Sequence, residues 1–241
     1  MERLTIAVIP GDGIGKEVVP EGMRVLEQVA GRFGLELVFE EQDWSCDRYA
    51  RTGRFMPEDA LESIAGHDAI FLGAVGWPTV PDHVSLWGLL IPIRRRFDQY
   101  VNLRPVRLFE GVRCPLAGRR PGEIDFMIVR ENVEGEYSEI GGRLYGGTDR
   151  EMAVQESVFT RHGVDRVCRY AFELARTRRR KHLTSATKSN GNIHTMPYWD
   201  ERFAAMAQAY PDVTTDKFHI DILTAHFVRH PDWFDVVVGS N

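Results

Sequence analysis

The chain has 241 residues, 43% hydrophobic and 27% charged, with 22 Gly and 12 Pro, which is the make-up of a folded globular protein and excludes a disordered or fibrous one. Thirty basic against 35 acidic side chains leave a net charge of −5, so no global positive field draws the chain to nucleic acid or anionic lipid. No apolar run nears the roughly 20 residues of a membrane span. The opening Met1-Glu2-Arg3-Leu4-Thr5-Ile6 runs straight into a strand-like segment without the apolar stretch of a leader, and Cys46, Cys114 and Cys168 form no C-x-x-C pair. A reducing, cytoplasmic setting is the expectation.

Short apolar runs alternate with amphipathic patterns, the mark of an α/β fold. Leu4 to Ile9 predicts a buried strand, ended by Pro10-Gly11-Asp12-Gly13. Val19, Met23, Leu26, Ala30 and Phe33 then recur on one helical face, with Pro20 placed in a first turn or at a kink. Strands are predicted at Leu35 to Phe39 and Asp68 to Ala74, with a helix from Pro57 to Ala65 whose first position suits proline. A soft boundary falls near Val101. Beyond it come a strand at Ile124 to Val129, an extended arm or hairpin from Glu134 to Arg150 and a strand within Glu151 to Thr160. Val164, Val167, Cys168, Ala171, Leu174 and Ala175 mark a helix, and Leu183 to Thr187 a strand. Thr195 is the expected N-cap of a helix that buries Trp199, Phe203 and Met206. Phe234 to Val238 closes the chain as a buried strand, which normally needs a covering helix, so the chain is expected to be incomplete.

Three motifs invite a function that their spacing does not complete. Gly11-Asp12-Gly13-Ile14-Gly15-Lys16 misses the dinucleotide fingerprint by one position and lacks the Ser or Thr of a phosphate loop. It serves as a tight strand-to-helix turn or as a phosphate or nicotinamide contact at a helix N-terminus. His226 and His230 have zinc-protease spacing, but Phe227 stands where the glutamate base belongs. The basic run Arg176 to Lys181 fits a solvated helix C-terminus better than a nucleic-acid patch.

A different set points to small-anion chemistry. Arg94, Arg95 and Arg96 precede Asn102-Leu103-Arg104-Pro105, and Val129-Arg130-Glu131-Asn132 ends an apolar strand. Guanidinium forks pair with carboxylates through two parallel bonds, so arginines at strand ends suggest a small polyanionic substrate. Tyr137 follows Arg130 by seven residues, Lys188 stands at a strand's carboxyl end, and Asp221 opens the last helix, where a carboxylate can bind Mg²⁺ or Mn²⁺.

The segments Ile9-Pro10-Gly11-Asp12-Gly13-Ile14-Gly15, Asn102-Leu103-Arg104-Pro105, Val129-Arg130-Glu131-Asn132 and Ala186-Thr187-Lys188-Ser189-Asn190, in this order, resemble the metal-dependent β-decarboxylating dehydrogenases of 2-hydroxy acids. The runs Arg130 to Tyr137, Thr184 to Gly191 and His219 to Phe227 are most similar to the tartrate and D-malate branch. The resemblance implies a two-domain isopropylmalate dehydrogenase-like fold, a mixed sheet flanked by helices. Residues 1–101 are the N-terminal part of an incomplete cofactor-binding domain, and 102–241 a substrate and dimerisation domain with a clasping arm at about 134–157. Gly141 and Gly142 suit a bend in that arm.

Carried over position by position, the resemblance makes Arg94, Arg104 and Arg130 the substrate clamp, Tyr137 the proton donor, Lys188 the general base and Asp221 the first metal ligand. Gly13, Ile14, Val75 and Asn190 fall at the NAD contacts. It further implies a homodimer in which Lys188 and Asp221 reach the neighbour's site, and NAD-dependent oxidative decarboxylation of D-malate, or oxidation of tartrate, with Mg²⁺ or Mn²⁺. The family's chain continues past Asn241 with further acidic ligands and the adenosine loop, so the 241-residue chain is expected to be an inactive fragment. Two alternatives stand beside this. One is isopropylmalate or isocitrate as substrate, decided by the wall Ser85 to Ile93 with Trp87; the other is a non-catalytic subunit that dimerises with a full-length homologue.

Overall fold

The apolar run after Leu4 becomes the centre of β1 (Glu2–Gly11), where Ala7, Val8 and Ile9 are fully buried. Residues 2–241 are described by a computed structural model, and they divide into two units, Met1–Asp98 and Gln99–Asn241. In the first unit, β1 lies between β2 (Leu35–Glu41) and β3 (Ala69–Ala74), all parallel, with α1 (Gly15–Phe33) as the crossover from β1 to β2. α1 buries Val19 and Ala30 against the sheet and ends where Gly34, at φ 70°, returns its N–H to the Ala30 carbonyl. Phe33, expected on the buried face, is 72% exposed, because the stripe ends one turn earlier. Pro20 is neither in the first turn nor beyond the helix but in its second turn, where it forfeits one backbone bond.

Two local readings are corrected here. The predicted helix at Pro57 shrinks to α3 (Ala60–Ser63), which leaves Pro57 outside it. A helix that apolar periodicity did not signal, α2 (Cys46–Thr52), is framed by its ends instead: the Ser45 hydroxyl accepts from the Arg48 N–H, and Gly53 closes it at φ 76°. Farther on, α4 (Asp82–Ser85), a π-helical turn (Leu86–Leu90) and α5 (Ile91–Arg96) run on without a break. Leu89 and Ile93 from this segment share a core with Trp44 and Phe55, and Ile91 is also buried.

Asp12 ties the first unit together. It is 2% exposed, and its carboxylate accepts the N–H groups of Cys46 at 3.0 Å, Asp47 at 3.2 Å and Gly76 at 3.2 Å. The turn can close this tightly because residue 11 is glycine: a Cβ there would lie 2.0 Å from the Ala74 carbonyl oxygen. Burial pushes the Asp12 carboxyl up, but the hydrogen bonds from Cys46, Gly76 and Asp47 outweigh it and hold the group below the usual carboxylate range.

The second unit is a mixed five-stranded sheet in the order β4-β5-β10-β8-β9. Its strands are β4 (Val101–Arg107), β5 (Asp125–Glu131), β8 (His182–Thr187), β9 (Thr214–His219) and β10 (Val236–Gly239). Only β4 runs antiparallel. β10, the last strand in sequence, sits at the centre, with Val236, Val237 and Val238 at most 2% exposed. α6 (Arg161–Thr177) and α7 (Thr195–Ala207) cover one face, packing Val167, Ala171, Phe172 and Trp199 on Val129, Leu183 and Val238. α8 (Ile220–Arg229) covers the other, where Leu223 and Phe227 meet Phe126, Val237 and Phe234. Thr160 caps α6 by accepting from Gly163 N–H, whereas Thr195 is the first residue of α7 and not its cap; His194 precedes it without a side-chain bond. His226 and His230 pack against Trp233, their ring centroids 4.9 and 4.1 Å from it.

The basic run after α6 is not a solvated helix end. Arg178 pairs with Asp235 at 2.6 Å and Asp125 at 3.1 Å, and Arg180 donates to the carbonyls of Asp232, Trp233 and Phe234. Outside the sheet, β6 (Gly141–Leu144) and β7 (Met152–Gln155) form an antiparallel hairpin, every residue exposed. Gly141 and Gly142 lie within β6 rather than at a bend, and the chain reverses through Tyr145 and Gly147 at φ 54° and 77°. Among the described residues no helix is long and apolar enough to cross a membrane.

Two stability outcomes follow from these charges. Replacing Asp12 by Asn is expected to lower unfolding free energy by about 1–3 kcal/mol in urea titrations, since three N–H groups lose a charged acceptor. Because the folded carboxyl titrates below its unfolded value, this contribution is complete above about pH 4 and disappears as pH falls through the folded value. Wild-type and variant stabilities should therefore converge in acid. Arg178→Ala strands the Asp235 carboxylate, 2% exposed, and is expected to cost about 3 kcal/mol by the same titration.

Candidate functional site

The register of the second sheet decides which side chains share a face. Asn102 on β4 stands directly opposite Arg130 on β5, and Arg130 opposite Gly239 on β10. Since alternate residues point the same way, Arg104 joins Asn102 and Arg130 on the face that carries α8. Arg104 Nε donates to Asn102 Oδ1 at 3.2 Å, and Asn132, buried just beyond β5, donates to the Gln99 carbonyl at 2.9 Å. The Arg130 guanidinium lies over the Tyr137 ring, 5.5 Å from its centroid. Two arginines, two asparagine amides and a phenol thus gather at the end of β5, an arrangement suited to carboxylates.

Lys188 and Asp221 form a second group on the same face. β8 delivers Lys188 just past Thr187, and the first turn of α8 delivers Asp221. Lys188 Nζ hydrogen-bonds Asp221 Oδ2, which holds the Asp221 carboxyl below its ordinary range despite some opposing desolvation. The lysine side chain is 38% exposed and the aspartate 64%, so the pair is open to solvent. Beside it lies a cleft of about 260 Å³ bordered by Ala186, Lys188, Asn192, Ile220, Gly239 and Glu136, at the carboxyl ends of the parallel strands, where α/β sheets bind ligands.

In the first unit, the three consecutive arginines of α5 divide. Arg95 lies over the Trp87 ring at 4.9 Å, Arg96 faces Glu62 at 3.9 Å, and Arg94 is half-buried in the same last turn. Gly13 and Ile14 form the turn between β1 and α1, adjacent to Val75 through the Asp12 N–H bond to the Ala74 carbonyl. The Lys16 and Glu17 amides bond to Gly13 and Ile14 within that turn. Asn190 belongs to the second unit, exposed after Lys188. Among the described residues no group of three or more His, Cys, Asp or Glu is placed to hold a metal ion.

Three carboxylates had no assigned place in the sequence. Asp12 was legible as part of a glycine turn but not as its anchor. Glu131 is 2% exposed and accepts the N–H groups of Val133 and Glu134; burial drives its carboxyl upward, ahead of those bonds. Glu134 accepts from the Thr160 amide and hydroxyl. An acid at the end of an apolar strand, as Glu131 is, was the available signal.

Comparison with known proteins matches residues 5–241 to the isocitrate/isopropylmalate dehydrogenase family model. The chain is 64% identical to a D-malate dehydrogenase [decarboxylating] of Escherichia coli (strain K12) over 243 aligned positions, covering all of this chain and 67% of that protein. It is 60% identical to a tartrate dehydrogenase/decarboxylase of Pseudomonas putida, over 98% of this chain and 65% of that one. Among solved structures, an isocitrate dehydrogenase from Methylococcus capsulatus superposes with a TM-score of 0.85 at 31% identity, covering all of this chain and 67% of the other. The chain therefore spans about two thirds of the length of these relatives. By sequence along its whole length and by fold, it belongs to the isocitrate/isopropylmalate dehydrogenase family and is similar there to the decarboxylating D-malate and tartrate dehydrogenases.

Proposed function

We propose that this chain serves the NAD-dependent oxidative decarboxylation of a small 2-hydroxy diacid, D-malate or tartrate, in the cytoplasm. The observation that carries the proposal is that Arg104, Arg130 and Tyr137 gather at the end of β5 while Lys188 pairs with Asp221 on the same face of the sheet, two groups that the neighbouring subunits of a homodimer would bring to shared sites. Arg104 and Arg130 pair with the substrate carboxylates, and Asn102 fixes the direction of the Arg104 fork. Arg94 is assigned to the same substrate on the family resemblance. Gly13, Ile14 and Val75 stand at the carboxyl ends of β1 and β3, a position that fits a dinucleotide, and Asn190 is assigned with them. Bound NAD⁺ supplies the acceptor for the C2 hydride.

Lys188 takes the hydroxyl proton as C2 is oxidised, with Asp221 as the carboxylate partner of the resulting ammonium. The 3-carboxy ketone, its C4 carboxyl ionised, then loses CO₂: the C3–C4 bond breaks and its electron pair leaves an enolate. The Tyr137 phenol returns a proton to C3, giving pyruvate from D-malate. A divalent ion is part of the family's chemistry, and Asp221 is the residue here with the character of a ligand for Mg²⁺ or Mn²⁺. One carboxylate already bonded to Lys188 does not by itself make a metal site, and among the described residues no cluster of ligands completes it.

The 241-residue chain alone is expected to be inactive, so the reaction is tested by following NADH formation in the longer protein of which this sequence is expected to be part, with D-malate, tartrate, isopropylmalate and isocitrate, each with Mn²⁺. D-malate or tartrate is expected to give the highest kcat/KM, and preference for either larger substrate would overturn the assignment. Arg130→Ala is expected to lower kcat/KM roughly a hundredfold, the loss of a charge-assisted pair worth about 2–3 kcal/mol.

The β6–β7 hairpin supports a homodimer. A lone two-stranded hairpin is marginal in water, and this one exposes Ile140, Leu144, Tyr145, Met152 and Val154 at 41–56%. A second copy of the chain would cover these side chains. Leu144→Asp with Val154→Asp is expected to shift the sedimentation coefficient from dimer to monomer; an unchanged value would show that the hairpin is not the clasp.

A further inference from the structure

The turn leading to Tyr137 is fastened by more polar groups than a connection needs. Glu131, 2% exposed, takes the N–H of Val133 at 3.0 Å and of Glu134 at 2.9 Å, folding the backbone back at the end of β5. The Glu134 carboxylate reaches the other way, accepting the Thr160 amide at 3.0 Å and the Thr160 hydroxyl at 2.8 Å at the N-terminus of α6. Gly135 and Val158 exchange backbone bonds at 2.8 and 3.1 Å, and the Glu136 carboxylate accepts the Ser157 hydroxyl at 2.6 Å. Burying one carboxylate next to another is expensive, and an apolar pair would close the turn at lower cost. What two carboxylates add is direction, because each bond fixes a backbone group and not merely a contact.

We propose that Glu131 and Glu134 are positioning residues that hold Tyr137 over the Arg130 guanidinium, an inference that rests on the assignment of Tyr137 as the group that protonates C3. Glu131 sets the course of the chain leaving β5, and Glu134 pins the next turn to the start of α6. Tyr137, three residues on, inherits its place from both. A small displacement of a proton-transferring group costs rate far more than stability, which gives the latch a function beyond closing a loop.

Gly163 provides a way to release the latch without unpairing a buried group. A Cβ at residue 163 would lie 2.3 Å from Glu134 Cδ and Oε1. That conflict is with the mobile end of a side chain, so Gly163→Ala expels the carboxylate, while alanine itself favours the helix. Glu134→Gln weakens the same bonds through charge alone.

Two readouts test the proposal, the first on this chain. By NMR, the Tyr137 ring should shift the Arg130 side-chain protons upfield, an effect identified by its loss in Tyr137→Ala. Gly163→Ala and Glu134→Gln are expected to abolish at least half of that shift, with helical circular dichroism unchanged. Retention of the full shift in both variants overturns the proposal, whatever the activity. The second readout, taken on the longer protein of which this sequence is expected to be part, is exchange of the pyruvate C3 protons with D₂O in the presence of Mn²⁺, the reverse and forward proton transfer of the final step alone. Both variants are expected to slow this exchange at least tenfold without a matching change in KM. If they lose the ring shift while Tyr137→Phe exchanges as fast as wild type, the latch stands and the proton-donor assignment falls.

Discussion

The pairing of β10 between β5 and β8 is the constraint on which the chemistry of the second unit depends. It sets Gly239 against Arg130 and Val238 against Ser185, so Arg130, Gly239, Ala186 and the position of Lys188 fall on one side of the sheet. A slip of one residue in either pairing would send Arg130 or Lys188 toward α6 and α7, into the apolar layer of Val129, Val236 and Leu183. Register is protected because both faces of β10 are buried: Val236 and Val238 belong to one core, and Val237 to the other. Stability and site geometry are therefore the same set of contacts. Gly239 and Ala186, between the arginine and the lysine, are also the smallest residues in their rows, which leaves the floor of the cleft low.

Arginine serves two unlike purposes in this chain. Arg178 and Arg180 are spent on the frame at the amino ends of the strands, each satisfied by carboxylates or by a set of carbonyl oxygens. Arg104 and Arg130, at the opposite end, have an asparagine amide and an aromatic face as neighbours instead. Neither neighbour carries a charge that neutralises the guanidinium. Arg94 to Arg96 show the same split within three residues, since consecutive helical positions diverge by about 100° and meet different surroundings.

This division explains what could be read from the sequence. Strands with a continuous apolar run, such as β1, β5 and β10, and the clean stripe of α6 announce themselves, because burial on one or two faces leaves a periodic trace. β4 and β9 do not: each lies at an edge of the sheet, and Asn-Leu-Arg-Pro or Thr-Asp-Lys offers no such trace. Pro105 lies within β4, where an edge strand tolerates a missing donor. Arg104, Arg130, Tyr137, Lys188 and Asp221 were legible as candidates from residue type and family resemblance. Their common face was not, since it follows from a register between strands 30 to 110 residues apart. The roles of Asp12, Glu131 and Glu134 were illegible for another reason: carboxylates bound mainly by backbone N–H groups have no charged side-chain partner to reveal them.

The Lys188–Asp221 pair shows why exposure there matters more than strength. An open ion pair contributes little to folding, because water competes for both groups and both side chains lose freedom in holding one geometry. The same openness leaves both groups within reach of solvent and small molecules, which a buried pair would not allow without a large desolvation cost. The turn before Tyr137 is built on the opposite principle: Glu131 is buried and bonded to backbone amides, and the half-buried Glu134 is tied to the Thr160 amide and hydroxyl. The exposed pair at the mouth of the sheet and the turn tied to the start of α6 thus differ in their freedom to rearrange as they differ in burial.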